Sequence, residues 1–347
     1  MGYFMFSQQV TDGLGTWATH YREARPFPHV VIDDFFSEDA AERLLSEFPP
    51  FDEELARGDM GKVGPKAVNK KMRAISPFYN QFCDFLVSRD FIGAIEKITG
   101  IDDLISLPDE TGGTHESRSG ATLAPHIDYN YFGENPPLHR RLNVLFYLNK
   151  EWDSAWGGNL ELHSNPRDWS QNQTVSNAPL FNRCIIMETS ERSWHGYDPI
   201  QIPPALGTSR KSISIYLFSR SRPASEQAPR HATFYVQPPL PEKFRAGLTL
   251  APEHERELRG CIAKRDNWIN FYQNEVLKHS GRAEKQQQKA AWLMDKVAEA
   301  RECLERNDAA GAAKVLDGIS LARAERHASG GLSGKLKAIA RKLRSSN

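Results

Sequence analysis

The stretch LAPHIDYNYF at residues 123–132 sets a histidine and an aspartate two positions apart, His126 and Asp128, inside an apolar and aromatic run. In an extended strand, residues i and i+2 point to the same face. A strand here would carry both groups inward, where a carboxylate without a partner is costly. A metal ion removes that cost by taking a carboxylate oxygen and an imidazole nitrogen as ligands. Two protein ligands seldom make a stable site, and ERSWHGYDPI supplies a third candidate, His195, downstream of the run RCIIMET. Two histidines and one carboxylate on a β scaffold form the facial triad that binds non-haem Fe(II) and leaves positions open for substrate and oxygen. Along SRKSISIYLFS, alternation sets Arg210, Ser212, Ser214 and Tyr216 on one face. An arginine turned into an apolar barrel needs an anion, and its guanidinium can hold a carboxylate in fork geometry. Taken singly, an H-x-D pair or a lone histidine is ordinary in a core or on a surface; the combination carries the signal.

Positioning these side chains takes a β scaffold. From about Leu104 to Ser219, short apolar or alternating runs (ATLAPHID, RLNVLFYLN, GNLELHS, RCIIMET, KSISIYLFS) are separated by Gly, Pro, Asn and Asp. Strands with turn signals between them predict an all-β barrel or jelly-roll core. Upstream, PFPHVVIDDFF at 26–36 reads as a short strand, and Ser37 as the N-cap of a helix running to about Phe48. Residues 54–71 read as a loop, and Ser76-Pro77 opens an amphipathic helical stretch to Ile98. After Pro252 the periodicity turns helical, through PEHERELRGCIAKRDNWINFYQNEVLKH, residues 283–306 and AAKVLDGI. RECLERNDAAGAAKVLDGI faintly resembles one helical hairpin of a tetratricopeptide repeat, in a single copy. The expected organisation is α+β: a β core with N-terminal helices packed on it over 1–240, and a helical C-terminal region over 241–347. The last 28 residues, 320–347, carry seven Lys/Arg against one acidic residue and read as a solvated tail.

Composition narrows the classes. Lys+Arg and Asp+Glu balance at 44 each in 347 residues, so no global field points to nucleic acid or an anionic membrane. No apolar run approaches the roughly 18 residues that span a bilayer. The N-terminus MGYFMFSQQV lacks the pattern of a signal peptide, and Phe6 breaks the myristoylation pattern. Cys83, Cys184, Cys261 and Cys303 lie far apart with no CxxC, which fits a reducing compartment. A cytoplasmic location is the expectation.

Placed in order, LAPHID, RRLNVLFYLN, WGGNLEL, SWHG and RKSISIYLF resemble the double-stranded β-helix core of the Fe(II)- and 2-oxoglutarate-dependent oxygenases, in the prolyl-4-hydroxylase-like branch. PFPHVVIDDFFSEDAAERLL resembles the lead-in of that branch, so the likeness spans about residues 26–220. The resemblance implies His126, Asp128 and His195 as iron ligands and Arg210 as the group that binds the distal carboxylate of 2-oxoglutarate. Lys211 is the weaker choice because alternation turns it outward. It further implies oxidative decarboxylation of 2-oxoglutarate to succinate and carbon dioxide, coupled to oxidation of a substrate C–H bond, with ascorbate as reductant. Asp128 favours hydroxylation, since related halogenases have a small residue there.

Other residues keep two readings. Asn143 and Tyr147 share a face of 141–149 and either line the 2-oxoglutarate pocket, with Ser212, or pack in the core. Alternation puts Arg141 with Asn143, at the site or on the outer surface. Tyr129, Tyr131, Trp152 and Trp194 either wall the substrate or pack around the barrel mouth. Gly157 and Gly158 fit a turn or bulge. His115 and Glu116 lie in a Gly-rich loop, 111–120, without an evident partner. Segments 54–71 and 107–119 are candidate lids. The substrate is open between a small molecule, a glycan and a prolyl protein, and the C-terminal helices either dock a partner or form a homodimer. Two rival functions stay open: a catalytically silent metal-binding sensor, and a cupin-like metalloenzyme that leaves Arg210 unexplained.

Overall fold

In the first of the two compact units into which the chain divides, Met1–Pro252, α-helices with short strands among them fill the first hundred residues and antiparallel strands follow; the second unit is Glu253–Asn347. The structure is a computed structural model that describes residues 5–56, 64–134, 136–237, 239–241, 243–306 and 308–315. The helices are α1 (Gln8–Asp12), α2 (Leu14–Glu23), α3 (Glu38–Ser46), α4 (Pro77–Leu86), α5 (Arg89–Thr99) and α6 (Pro252–Glu305). The strands are β1 (His29–Ile32), β2 (Lys66–Asn69), β3 (Ile105–Ser106), β4 (Gly113–Ser117), β5 (Leu123–Ile127), β6 (Tyr131–Phe132), β7 (Leu138–Tyr147), β8 (Leu160–His163), β9 (Thr174–Asn177), β10 (Arg183–Glu188), β11 (Trp194–Tyr197), β12 (Arg210–Ser219) and β13 (Phe234–Tyr235).

They form two antiparallel sheets. The larger has the order β1-β10-β7-β12-β4-β2, with β3 on β12 and β6 on β7; the smaller has the order β13-β5-β11-β8-β9. Alternation gives the larger sheet two unlike faces. Val144, Phe146, Ile213, Ile215 and Leu217 join the main core with the aromatic residues of the helices. There Phe36 packs on Phe146 with ring centroids 4.8 Å apart, and Phe82 meets the same ring at 6.0 Å. The opposite face, with Asn143, Tyr147, Arg210, Ser212, Ser214 and Tyr216, lines a cavity shared with the smaller sheet. Residue alternation thus divides packing from chemistry along the same two strands, β7 and β12.

Local sequence explains the helix boundaries. The Ser37 hydroxyl accepts from the Ala40 N–H, and Glu38 and Asp39 follow in the first turn. The stretch expected as one helix from Ser76 to Ile98 is two. Ser88 caps α5 by accepting from Phe91 N–H, and Gly100 ends it in the left-handed region at φ 69°. Helices α1 and α2 were not among the expected elements. Residues 66–69, expected within a loop, form the edge strand β2, and 113–117, expected as a Gly-rich loop, form β4. Gly113 lets β4 lie against β2: its φ is +141°, and a Cβ would fall 2.5 Å from the Asn69 carbonyl oxygen. The expected C-terminal helices are, from Pro252 to Glu305, one continuous helix. The basic tail, 320–347, and the end of AAKVLDGI lie outside the described residues.

Candidate metal centre

Strands β5 and β11 pair so that His126 and His195 are direct cross-strand partners. The close approach needs Gly196, where a Cβ would lie 2.5 Å from the Leu123 carbonyl oxygen. Both rings are nearly buried, with centroids 4.2 Å apart. Each Nδ1 lies against a backbone carbonyl two residues earlier: Ala124 O at 3.0 Å from His126, and Ser193 O at 2.9 Å from His195. A carbonyl only accepts, so Nδ1 carries the proton and Nε2 keeps a free lone pair. Both lone pairs face Asp128, just past the end of β5: His126 Nε2 is 3.8 Å from Asp128 Oδ1 and His195 Nε2 is 3.6 Å from Oδ2. One donor atom from each of the three residues falls within 4.8 Å of the others, the only such trio found among the described residues.

The protonation states suit a cation. Burial, with each other's proximity, lowers the His126 pKa to about 3, and burial also lowers that of His195, so both rings are neutral at pH 7. Burial acts against the Asp128 carboxylate. Arg140, the two histidines and Asn143 outweigh it and hold the pKa below the usual carboxylate range. Arg140 Nη2 is 3.0 Å from Asp128 Oδ2, and the Asn143 amide donates to the same oxygen at 2.7 Å. Two neutral imidazoles and one ionised carboxylate, each fixed by a further hydrogen bond, are the donor set a divalent iron would need.

Like Lys66, Tyr197 and Tyr235, Arg140 is a cavity residue that sequence reading missed. It is fully buried, with its guanidinium over the rings of Tyr216 (3.7 Å) and Tyr129 (4.4 Å). Strict alternation predicted Arg141 beside Asn143. The β7/β12 register shifts between Leu217 and Phe218, so Leu142 pairs with Leu217 but Arg140 with Phe218. That bulge turns Arg140 inward. Arg141 points away, bonding Ser219 Oγ, the Ser221 carbonyl and Glu226.

Arg210, at the start of β12, is buried at the other end of the cavity. Its Nε donates to the Gly158 carbonyl at 2.7 Å and Nη2 to the Tyr147 hydroxyl at 3.2 Å. Its guanidinium is 4.6 Å from the Tyr197 ring centroid and 5.0 Å from that of Tyr147. Gly158, read from sequence only as a turn or bulge, therefore also anchors this arginine. Lys211 points out, toward Ser209 and Glu116. Asn143, Tyr147 and Ser212 all line the cavity, of about 200 Å³, with Asn143 engaged by Asp128 and Arg140.

The aromatic wall is made of other residues than those singled out. Tyr197, Tyr216 and Tyr235 line the cavity, Tyr235 stacked on His126 at 5.0 Å, whereas Tyr129, Tyr131, Trp152 and Trp194 lie outside the lining and follow the packing reading. Of the loop pair, His115 lines the cavity and Glu116 turns away to Ser209 and Lys211. A larger surface cavity of about 410 Å³, between Phe48–Leu55 and β4, is lined by Asp52, Glu53 and Glu116 but by none of His126, Asp128, His195 and Arg210.

Comparison with known proteins adds a family. Residues 113–218 match the model of the 2OG-Fe(II) oxygenase superfamily. No curated protein matches the chain. Among solved structures, a prolyl hydroxylase from Trichoplax adhaerens, in complex with a hypoxia inducible factor peptide fragment, is 16% identical with a TM-score of 0.42, covering 61% of this chain and 91% of its own. A prolyl 4-hydroxylase from Phytophthora capsici is 18% identical with a TM-score of 0.41, covering 75% and 72%. HygX from Streptomyces hygroscopicus, with nickel, 2-oxoglutarate and hygromycin B bound, is 12% identical with a TM-score of 0.40, covering 59% and 91%.

Proposed function

We propose, from the premise that this chain is an enzyme of the 2OG-Fe(II) oxygenase superfamily, that it is a hydroxylase with His126, Asp128 and His195 as iron ligands and Arg210 as the anchor of 2-oxoglutarate. The single observation that carries the reading is the convergence of the two histidines and the carboxylate, within 4.8 Å of one another, in the cavity that Arg210 also lines. In this reading the two sheets are the halves of a double-stranded β-helix within an oxygenase domain of residues 1–240, with 241–347 as an accessory helical region.

The chain's own residues would divide the work. The carbonyls of Ala124 and Ser193 fix the Nδ1 protons and so aim the two Nε2 lone pairs. Arg140 and Asn143 keep Asp128 ionised and oriented. Among the described residues the Arg210 guanidinium donates through Nε and Nη2, so its Nη1 N–H groups can donate to the far carboxylate of 2-oxoglutarate, with the Tyr147 hydroxyl and Ser212 beside it and Leu160 as an apolar wall. Iron with 2-oxoglutarate, when bound, supplies the dioxygen chemistry that yields succinate and carbon dioxide and oxidises the substrate. The protein presents one C–H bond and excludes water. Ascorbate as reductant and a cytoplasmic setting complete the proposal.

The enzyme's substrate is a small molecule, a glycan or a prolyl protein. Metal titration tests the ligand assignment: wild type should bind one Fe(II) per chain, and Asp128→Ala should lose most of that affinity together with 2-oxoglutarate turnover. Normal turnover in Asp128→Ala would refute it.

A further inference from the structure

Three cationic side chains line the cavity, Lys66, Arg140 and Arg210, against one carboxylate, Asp128. Two of the cations have assigned partners in the reading above: Arg140 pairs with Asp128, and Arg210 faces the cosubstrate. Lys66 has none. Among the described residues its ammonium makes no ion pair, and Glu116, the other acid nearby, is turned to Ser209 and Lys211.

Strand pairing fixes where Lys66 stands. It lies on the edge strand β2 opposite Ser117 of β4, and Ser117 in turn pairs with Arg210 of β12. Lys66 and Arg210 therefore occupy one cross-strand row, two strand spacings or roughly 10 Å apart. The next inward row on β4 holds His115, paired with Ser212 on one side and Val68 on the other. His115 Nε2 is buried with no hydrogen-bond partner. Burial first, with Lys66 and Arg210 adding to it, holds its pKa well below the ordinary histidine value, so the ring is neutral at pH 7. A buried polar nitrogen without a partner is costly unless a ligand supplies one.

We propose that Lys66 and His115 form an oxyanion subsite for the primary substrate, at the sheet edge and separate from the Arg210 position, so that the substrate carries a carboxylate or a phosphate. The inference rests on the oxygenase reading. Charge supports it: bound Fe(II) and the 2-oxoglutarate dianion cancel, and the remaining surplus of positive side chains favours an anion. Lys66 supplies the charge, and the neutral His115 ring supplies a hydrogen-bonding nitrogen.

Isothermal titration of inorganic phosphate and of acetate into the full chain, loaded with Zn(II) and 2-oxoglutarate, tests this. Zn(II) blocks turnover, and 2-oxoglutarate occupies the Arg210 position, so the anion that binds reports on the remaining subsite. Lys66→Met should weaken phosphate or acetate binding tenfold or more, equivalent to about 1.4 kcal/mol. Lys66→Arg should restore it to within about threefold, and His115→Phe should weaken it at least about threefold. The affinity for 2-oxoglutarate should stay within about threefold of wild type in all three. Preference for phosphate or for acetate identifies which oxyanion class the substrate carries. Anion binding indifferent to Lys66→Met would overturn the subsite, as would 2-oxoglutarate affinity falling in step with it, because Lys66 would then serve the cosubstrate. Wild type that binds phosphate in a Lys66-dependent way but fails to bind 2-oxoglutarate would instead sink the oxygenase reading and leave the anion site standing.

Discussion

Asp128 owes its charge to its neighbours, and that dependence can be tested one residue at a time. Arg140 is the strongest of the groups that lower its pKa against burial. Arg140→Leu should therefore raise the Asp128 pKa and weaken metal binding at pH 6 more than at pH 8, readable by metal titration at the two pH values. A second pair carries the opposite sign. Glu161 is pushed up to about 7 from an ordinary 4.5, first by burial and then by Asp198. A carboxyl whose folded pKa is raised contributes stability below its unfolded value and loses it as pH rises through the folded one. Glu161→Gln should thus be more stable than wild type at pH 8, by on the order of 1–3 kcal/mol, and equal to it at pH 4, in thermal unfolding. Arg210→Ala should raise the apparent constant for 2-oxoglutarate by roughly 10- to 1,000-fold, from a charge-assisted bond of about 1.5–3 kcal/mol and the larger cost of an unpaired buried anion. Lys211→Ala should be nearly silent, because its ammonium already faces Ser209 and Glu116 on the outer side. At this scale the inward placement of His126, Asp128 and Arg210 was legible from residue type and two-residue alternation, and His195 from its place after the run RCIIMET. Arg140 was not: a one-residue register shift, invisible in the run RRLNV, decides which of two arginines turns inward.

Among the elements, β7 and β12 carry both the core and the cavity. Phe146, 1% exposed, meets Phe35, Phe36 and Phe82 on the packing face. Phe146→Ala should cost about 3–5 kcal/mol in denaturant unfolding. It should also weaken metal binding, because β7 carries Arg140 and Asn143 on its other face; unchanged stability would mean that the helices hold the sheet less than this packing implies. The strands β5, β7, β8, β10 and β12 were readable as apolar or alternating runs. The edge strand β2 was not, since KAVN sits among glycines and lysines and gains its order from pairing with β4. Strand β4 was masked in the same way: Gly112 and Gly113 suggest a loop, yet here they allow close approach to neighbouring backbone. The break between α4 and α5 hangs on one capping serine, Ser88, inside a continuous amphipathic pattern.

Across the whole molecule, the change of texture after Pro252 marks the start of α6 and of the second compact unit. No proposed ligand lies beyond it, and β13, which brings Tyr235 onto His126, ends before it. A chain ending at residue 252 should keep metal and 2-oxoglutarate affinity within about threefold of the full chain. Loss of both in a folded truncation would show that the second unit completes the site. No helix among the described residues is long and apolar enough to cross a membrane. Substrate identity stayed illegible because alternation, spacing and capping describe how a chain folds around a site, whereas the shape of a cavity depends on residues as distant as Lys66 and Tyr235.

The central claim is that one cavity holds iron through His126, Asp128 and His195 and 2-oxoglutarate through Arg210. It is tested most directly by the visible absorption spectrum of the Fe(II)-loaded full chain under nitrogen as 2-oxoglutarate is added. A weak charge-transfer band should grow to saturation at one equivalent. It should require Fe(II), be absent in Asp128→Ala, and need far more 2-oxoglutarate to appear in Arg210→Ala. Protein shown to contain Fe(II) at this site that develops no band at saturating 2-oxoglutarate would contradict the account.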